Sequence, residues 1–230
     1  SPWGCNSGGS LMISSLVLLF AAAVPPAQAF VDQNPGAATV VGATGQRLVH
    51  ASGFRFDAGP GRPEDAAAGF LNRHGALFGL THRHSLLVNA APAAGKVGAV
   101  RFERRIDGAP IFGGDLVVGV DAENRVFLVN AGDVPTVVSG RHSLSESQAR
   151  AAALSSFSSG VLGVDSVAVA AGWRALGQEV RAVYRVDFVA AQPAGDWRVF
   201  VDAETGRMIF REDVRYFASA PGTVFEVSPV

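Results

Sequence analysis

From residue 100 the chain alternates. Val100, Phe102, Arg104 and Ile106 share one side of an extended segment, and Arg101, Glu103 and Arg105 share the other. Apart from Arg104, one face is apolar and one polar, which predicts a strand lying half-buried on a core. Asp107-Gly108-Ala109-Pro110 predicts a turn. Ile111 and Phe112 then lead through Gly113-Gly114 into a second strand, Asp115 to Val120. Asp121-Ala122-Glu123-Asn124 turns the chain again and Arg125 to Val129 returns. Tight turns allow only antiparallel neighbours, so the segment predicts a three-stranded antiparallel unit.

A helix is expected ahead of these strands. Pro63 fits a first helical turn, Glu64 and Asp65 oppose the positive end of the helix dipole, and Phe70 and Leu71 supply a buried face. The helix is expected to run to Asn72 or His74, with Gly75 as its stop. The same plan recurs downstream. Ser143-Leu144-Ser145-Glu146 reads as a capping box with Ser143 as the cap, opening a helix to about Phe157. Strands are expected at Val164–Ala170, Val180–Val189, Trp197–Val201 and about Arg207–Arg211. Val120-Asp121-Ala122-Glu123 recurs as Val201-Asp202-Ala203-Glu204, each at a strand–turn–strand corner. The expected class is α+β, with two tandem halves, each a helix packed on an antiparallel sheet.

The front of the chain reads as a targeting signal. Residues 1–29 carry no charged side chain, and Leu11 to Val24 is an almost unbroken apolar run. Ala27 and Ala29 are the small residues expected at −3 and −1, so cleavage after Ala29 would leave Phe30 at the front. The run is shorter than the ~20 residues of a membrane-spanning helix, so no stable span is expected once the signal is removed. It lacks a preceding Lys or Arg and the chain opens with Ser1, which makes Met12 a candidate start and residues 1–11 upstream translation. Cys5, the one cysteine, would leave with the signal, so neither a disulfide framework nor a cysteine-ligated zinc site is expected. Residues 30–59 read as a lead-in with one edge strand at most before Phe54-Arg55-Phe56.

Composition and motifs exclude several functions. The formal charge is −1, from 19 basic and 20 acidic residues, which leaves no excess to neutralise a phosphate backbone, so nucleic acid is not expected as a partner. Hydrophobic residues at 48% against 17% charged exclude a disordered chain. No His-Glu-x-x-His and no Gly-x-Ser-x-Gly occurs. Of the five histidines only His82 and His84 are close, and they read as a surface loop pair. Asp121 with Asp202, or Glu123 with Glu204, are paired only in sequence pattern, and their place at turns reads as backbone capping. Gly113-Gly114 lacks the Lys and helix of a phosphate loop and reads as a bulge or a close backbone approach. Tyr184 and Trp197 read as core. No catalytic residue, metal ligand or cofactor is expected in this chain.

The stretch Val100 to Val118, with Gly108, Pro110 and then Phe112-Gly113-Gly114, resembles the propeptide motif of fungalysin-like and thermolysin-like metalloproteases. Downstream, the helix from Ser145, the Val183-Tyr184 strand and Asp196 to Gly206 resemble a PepSY domain, with the Val-Asp-Ala-x-Thr-Gly corner its clearest piece. The resemblance implies a cystatin-like fold for each half. It also implies a division into a signal (1–29), a lead-in (30–59), a propeptide-motif domain (60–138), a PepSY-like domain (139–213) and a linker (214–230) toward a protease domain beyond the chain. Gly108, Pro110, Gly113, Gly114, Asp202 and Gly206 would shape the motifs.

Propeptides of this family chaperone and inhibit their protease. The resemblance therefore implies a non-catalytic, secreted or extracytoplasmic part of a zinc metalloendopeptidase precursor. Its partner would be the protease domain in cis, and zinc would belong to that domain. Arg101, Glu103 and Arg105, on the polar face of their strand, are the candidate contacts. The tail from Tyr216 to Val230, held extended by Pro221 and Pro229, is expected to lie across the protease cleft. The alternative is a free-standing exported PepSY-type module that binds a peptide or protein in the cell envelope.

Overall fold

The computed structural model of the chain describes residues 26–43, 45 and 47–215. The signal run at Leu11–Val24 and the tail at residues 216–230 lie outside the described residues. The elements, in order, are α1 (Pro26–Gln33), β1 (Ala38–Val41), β2 (Leu48–Asp57), α2 (Pro63–His74) and a short 3-10 turn (Gly75–Phe78). They continue as β3 (His84–Ala90), β4 (Gly98–Ile106), β5 (Ala109–Phe112), β6 (Leu116–Val120), β7 (Arg125–Ala131) and β8 (Val137–Ser139). The last are α3 (Glu146–Ser155), β9 (Leu162–Leu176), β10 (Glu179–Gln192), β11 (Ala194–Asp202) and β12 (Met208–Asp213).

The class is α+β, with α1 and α2 packed on the first of two antiparallel units and α3 on the second. In the first, β3, β4, β6 and β7 form a meander in that order, extended by β2 and then β1. In the second, β9, β10, β11 and β12 form a meander in that order. Each meander follows a helix, so the repeat extends well past the four-residue echo in the sequence. The two units join through β5. Its Ala109 and Pro110 close a hairpin on β4, while Ile111 and Phe112 pair in parallel with Trp173 and Arg174 of β9.

Each half buries its own apolar cluster. Phe54, Phe70, Phe78, Phe102, Leu116 and Val118 are central to the first, between α2 and its sheet. Trp173, Tyr184, Val186, Phe188, Val199 and Val201 line the second, against Ala149 and Ala153 of α3. The inward row of β4 crosses from one to the other. Val100 and Phe102 belong to the first cluster and Ile106 to the second, with Arg104 between them, fully buried.

Several local expectations are corrected. Gly75 does not stop α2. It is right-handed at φ −60°, and the chain runs on through the 3-10 turn to Gly79, whose φ of 73° is the left-handed stop. Ser145, not Ser143, caps α3. Its hydroxyl accepts from Gln148 N–H, and the Gln148 side chain accepts from Ser145 N–H. The β4–β5 turn is tighter than expected. Only Asp107 (φ 51°) and Gly108 (φ 82°) make it, as a two-residue hairpin requires, and Ala109 and Pro110 are already strand. His84 is not in a loop. It opens β3, which pairs along β4 from His84↔Ile106 to Ala90↔Arg101. The stretch read as a lead-in supplies Phe30, Leu48, Ala51 and Phe54 to the first core. β1 is its edge strand, and Gly53, at φ 74°, interrupts the period of β2 that would have marked it.

Candidate functional site

The outward face of the first half carries Arg101, Glu103 and Arg105, as their alternation requires. Arg105 Nε sits 2.6 Å from Glu103 Oε1, and its Nη1 reaches Gly108 O at 3.4 Å. These two charges satisfy each other. Arg101 is exposed and makes no hydrogen bond or ion pair among the described residues. Leu87, directly across from Glu103 on β3, is 46% exposed. A free guanidinium beside an exposed leucine on an edge strand is a surface able to meet another chain.

The outward face of the second half is built differently. Arg174 lies over the rings of Phe200 and Phe210 at 4.2 and 5.1 Å, and Arg185 lies over Phe112 at 4.8 Å. Phe112 and Phe200 pack at 5.5 Å, so β5 covers this face as well as joining the sheets. Gly172 permits it, because a Cβ there would fall 2.5 Å from the Phe112 ring and 2.7 Å from Pro110 O. Asp187 ties Arg185 and Arg198 together at 3.0 and 2.9 Å. Cation–π contacts and ion pairs absorb these guanidinium groups within the chain.

The motif residues hold backbone shape. Asp121 accepts the Glu123 and Arg125 N–H groups at 3.0 and 2.9 Å. Asp202 accepts those of Glu204 and Thr205 at 3.0 and 2.8 Å, with Arg181 Nε 2.8 Å away. Burial alone would raise the Asp202 carboxyl, but these N–H groups, the Thr205 hydroxyl and Arg181 hold it below the usual range. Gly206 closes that corner at φ 74°. Gly113 and Gly114 form a turn rather than a strand bulge, and the chain passes close by: a Cβ on Gly132 would fall 2.8 Å from Gly113 O. The expected cleavage bond, Ala29–Phe30, lies inside α1, and the Phe30 ring is buried 5.2 Å from Phe54. Tyr184 is core, and its hydroxyl donates to Leu144 O at 2.6 Å. Trp197 is partly buried against Phe157 at 5.0 Å.

A groove of about 560 Å³ lies between α2 with its 3-10 turn and the strands β3 and β4. His84 lines it. Its Nδ1 accepts from the Thr81 N–H at 3.0 Å, and its Nε2 is buried without a partner. Burial first, then the nearby Arg104, pulls His84 down to about 4. Arg104 itself donates through Nη2 to Phe78 O at 2.9 Å, while Nε and Nη1 have no partner. Burial, with Arg47 nearby, lowers it to about 10, so it stays charged at neutral pH. The sequence marks Arg104 only as a break in an apolar row, and His84 only as half of a close pair. No cluster of three or more His, Cys, Asp or Glu side chains able to hold a metal occurs among the described residues. None of their helices is long and apolar enough to cross a membrane.

With these surfaces defined, comparison with known proteins places one segment. Residues 92–131 match the Fungalysin/Thermolysin Propeptide Motif. The match takes in β4, β5, β6 and β7, the hairpin at Asp107-Gly108 and the Gly113-Gly114 turn. No curated protein matches the chain. Among solved structures, the Bacillus megaterium YpeB C-terminal domain overlaps 83% of this chain and 95% of its own at 14% identity. Its TM-score of 0.35 is too loose an overlap to assign a shared fold.

Proposed function

We propose that this chain is the propeptide of a secreted zinc metalloprotease of the fungalysin/thermolysin type, helping the attached protease domain to fold and holding it inactive until it is cut away. The observation that carries this reading is the propeptide motif at residues 92–131, on the strands that bridge the two halves. The second half, with its Asp202–Gly206 corner, is read as a PepSY-like unit, and zinc belongs to the protease. Secreted proteases often persist through a high unfolding barrier rather than a deep equilibrium well, and a folded template lowers the barrier to reaching that state. Strands β1, β3 and β12 pair on one side only over their length and offer backbone groups to another chain. Covalent attachment makes the encounter intramolecular, at effective concentrations on the order of millimolar. Arg101 and Leu87 are the proposed contacts on the first half, with Glu103 and Arg105 bracing each other beside them.

The test is inhibition and refolding in trans. The full chain is added to a thermolysin-type and a fungalysin-type protease, and peptide hydrolysis and the yield of enzyme refolded from denaturant are followed. Slowed hydrolysis together with a raised yield for one type is the expected result. No change in either quantity with both types would refute the reading.

A further inference from the structure

The edges of the sheet are not equally protected. An edge strand exposes unpaired N–H and C=O groups, and shortness, broken register, charge or proline ordinarily keep other chains off it. β1 has four residues and a break in register, β8 has three residues, and β12 carries Arg211, Glu212 and Asp213. β3 has none of these guards from Ser85 to Val88. Over that stretch it pairs regularly with β4, on one side only, and carries no charge and no proline. Leu87 and Val88, on opposite faces of the strand, are 46% and 43% exposed.

The groove of about 560 Å³ lies along this edge. Leu86 and Val88 are its β3 wall, and Ala68, Leu71 and Leu80 line it from α2 and the turn that follows, with Phe102 of β4. Asn72, Thr81, His82 and His84 supply the polar lining, and no Asp or Glu is present. An extended chain laid beside β3 pairs its amides with the free edge. Its alternate side chains then point to the groove, and the others to the side of Leu87. Charge selects the occupant. Between Asp65 and Asp107 the chain has six basic side chains and one acidic, Glu103, which Arg105 holds. Arg101 and Lys96 are exposed and make no ion pair among the described residues. Arg101 stands across from Ala90 at the end of β3, and Lys96 lies in the connection from there to β4. The Ala90 side chain is too short to screen Arg101 from the free edge.

We propose that β3 accepts an extended segment of the attached protease as an added strand, with alternate apolar side chains in the groove and acidic side chains on its other face toward Arg101 and Lys96. The source of that strand rests on the propeptide reading, whereas the edge, the groove and the basic surface do not.

The experiment titrates the full chain, labelled with nitrogen-15, with a blocked heptapeptide of alternating valine and glutamate. Its lysine-for-glutamate counterpart and two N-methylated forms, each blocking one edge of the peptide backbone, are the controls. The glutamate peptide is expected to bind with a dissociation constant below about 1 mM and to slow amide exchange in β3. At low salt it is expected to bind about fivefold more tightly than the lysine peptide. One N-methylated form should lose binding and the other keep it, since only one edge of an added strand faces β3. Arg101→Glu is expected to reverse the charge preference. Ala76→Trp, at an exposed position in the groove lining, is expected to block both peptides. Ala68→Trp carries the same test should that variant fail to fold. Unchanged exchange in β3, equal binding by the two N-methylated forms, or a charge preference that survives Arg101→Glu would each overturn the site. Inhibition of the protease in trans separates the two readings. Undiminished inhibition by the groove-filled variant overturns the added strand and leaves the propeptide reading standing. Peptide binding without any inhibition by the unaltered chain overturns the protease as the source of the strand. Dimerisation through β3 at the titration concentration assigns the edge to a second copy and overturns the protease segment as its occupant.

Discussion

The two halves reach one topology by different chemistry. α2 has no side-chain cap and is held by bulk: the Phe70 ring packs against Phe54, Phe56, His74 and Phe78, with centroids 4.9–6.2 Å apart. α3 is held by closeness and by its cap. Ala149 and Ala153 are fully buried against the sheet, and Ser145 and Gln148 close the first turn. The same contrast runs through the central strands. The inward row of β4 is broken by Arg104, which has one hydrogen bond, whereas the polar member of the inward row of β10 is Tyr184, whose one hydroxyl is satisfied. An arginine with five donors cannot be satisfied by the single carbonyl within its reach, and a tyrosine can. A shared strand order therefore leaves the polar member of the inward row of β10 satisfied and that of β4 with donors unpaired.

The contrast in helix packing is the easiest to break. Phe70→Ala removes the ring on which the first cluster converges and is expected to cost about 3–5 kcal/mol, a truncation leaving a cavity in a dense core. The opposite change is the one that harms α3. Ala153→Leu has no room and is expected to cost about 1–3 kcal/mol through overpacking. Denaturant titration of both variants checks the pair. Equal tolerance of Ala153→Leu and of a leucine on the outer face of α3 would show that close approach is not what holds that helix.

The strand comparison predicts opposite signs. Arg104→Met replaces an unpaired buried cation by an apolar chain of similar length and is expected to stabilise by about 1–4 kcal/mol. Tyr184→Phe leaves the Leu144 carbonyl without its donor and is expected to destabilise by about 1 kcal/mol. Chemical denaturation measures both. A destabilised Arg104→Met variant would mean that the guanidinium is structurally satisfied, and the comparison between β4 and β10 would collapse.

Much of this architecture is legible in the sequence, and the rest is hidden for identifiable reasons. Period two from Val100 to Ile106 fixes the inward and outward faces of β4, so Arg101, Glu103 and Arg105 fall on the outside as expected. Period reveals the face a residue takes but not who pairs with it, so Arg104 stands out in sequence without its isolation being visible. β3 lacks alternation, since Leu86, Leu87 and Val88 are contiguous, and it is defined by pairing with β4 alone. The cap of α3 is ambiguous because Ser143 and Ser145 each have a suitable partner three residues on, Glu146 and Gln148. The β5–β9 junction joins Ile111 to Trp173 in parallel across 62 residues, which no local pattern encodes. The groove follows from β3 and from the 3-10 extension of α2, so a reading that misses both elements cannot find it.

Acid separates the halves by the smallest and most selective effect. His84 is drawn down to about 4 by burial and Arg104, and His74 is lowered by burial and by Arg73. Both belong to the first half. A histidine whose folded pKa lies below its unfolded value is held neutral by the fold. Lowering the pH through 6.5 protonates it in the unfolded chain first, so stability falls from there until the folded value is passed, near 4 for His84. In the second half, Asp213 is pulled down to about 2 by Arg215, so its contribution is intact above 3.8 and is lost only as the pH drops from there toward about 2. The window between 6.5 and 4 should therefore weaken the first half selectively. Hydrogen exchange followed by segment checks this: at pH 5, corrected for the intrinsic rate, protection in β3 and β4 should drop relative to pH 7 while that in β10 and β11 holds. A parallel loss in both meanders would show that the halves unfold as one unit, and the independence implied by their separate cores would fail.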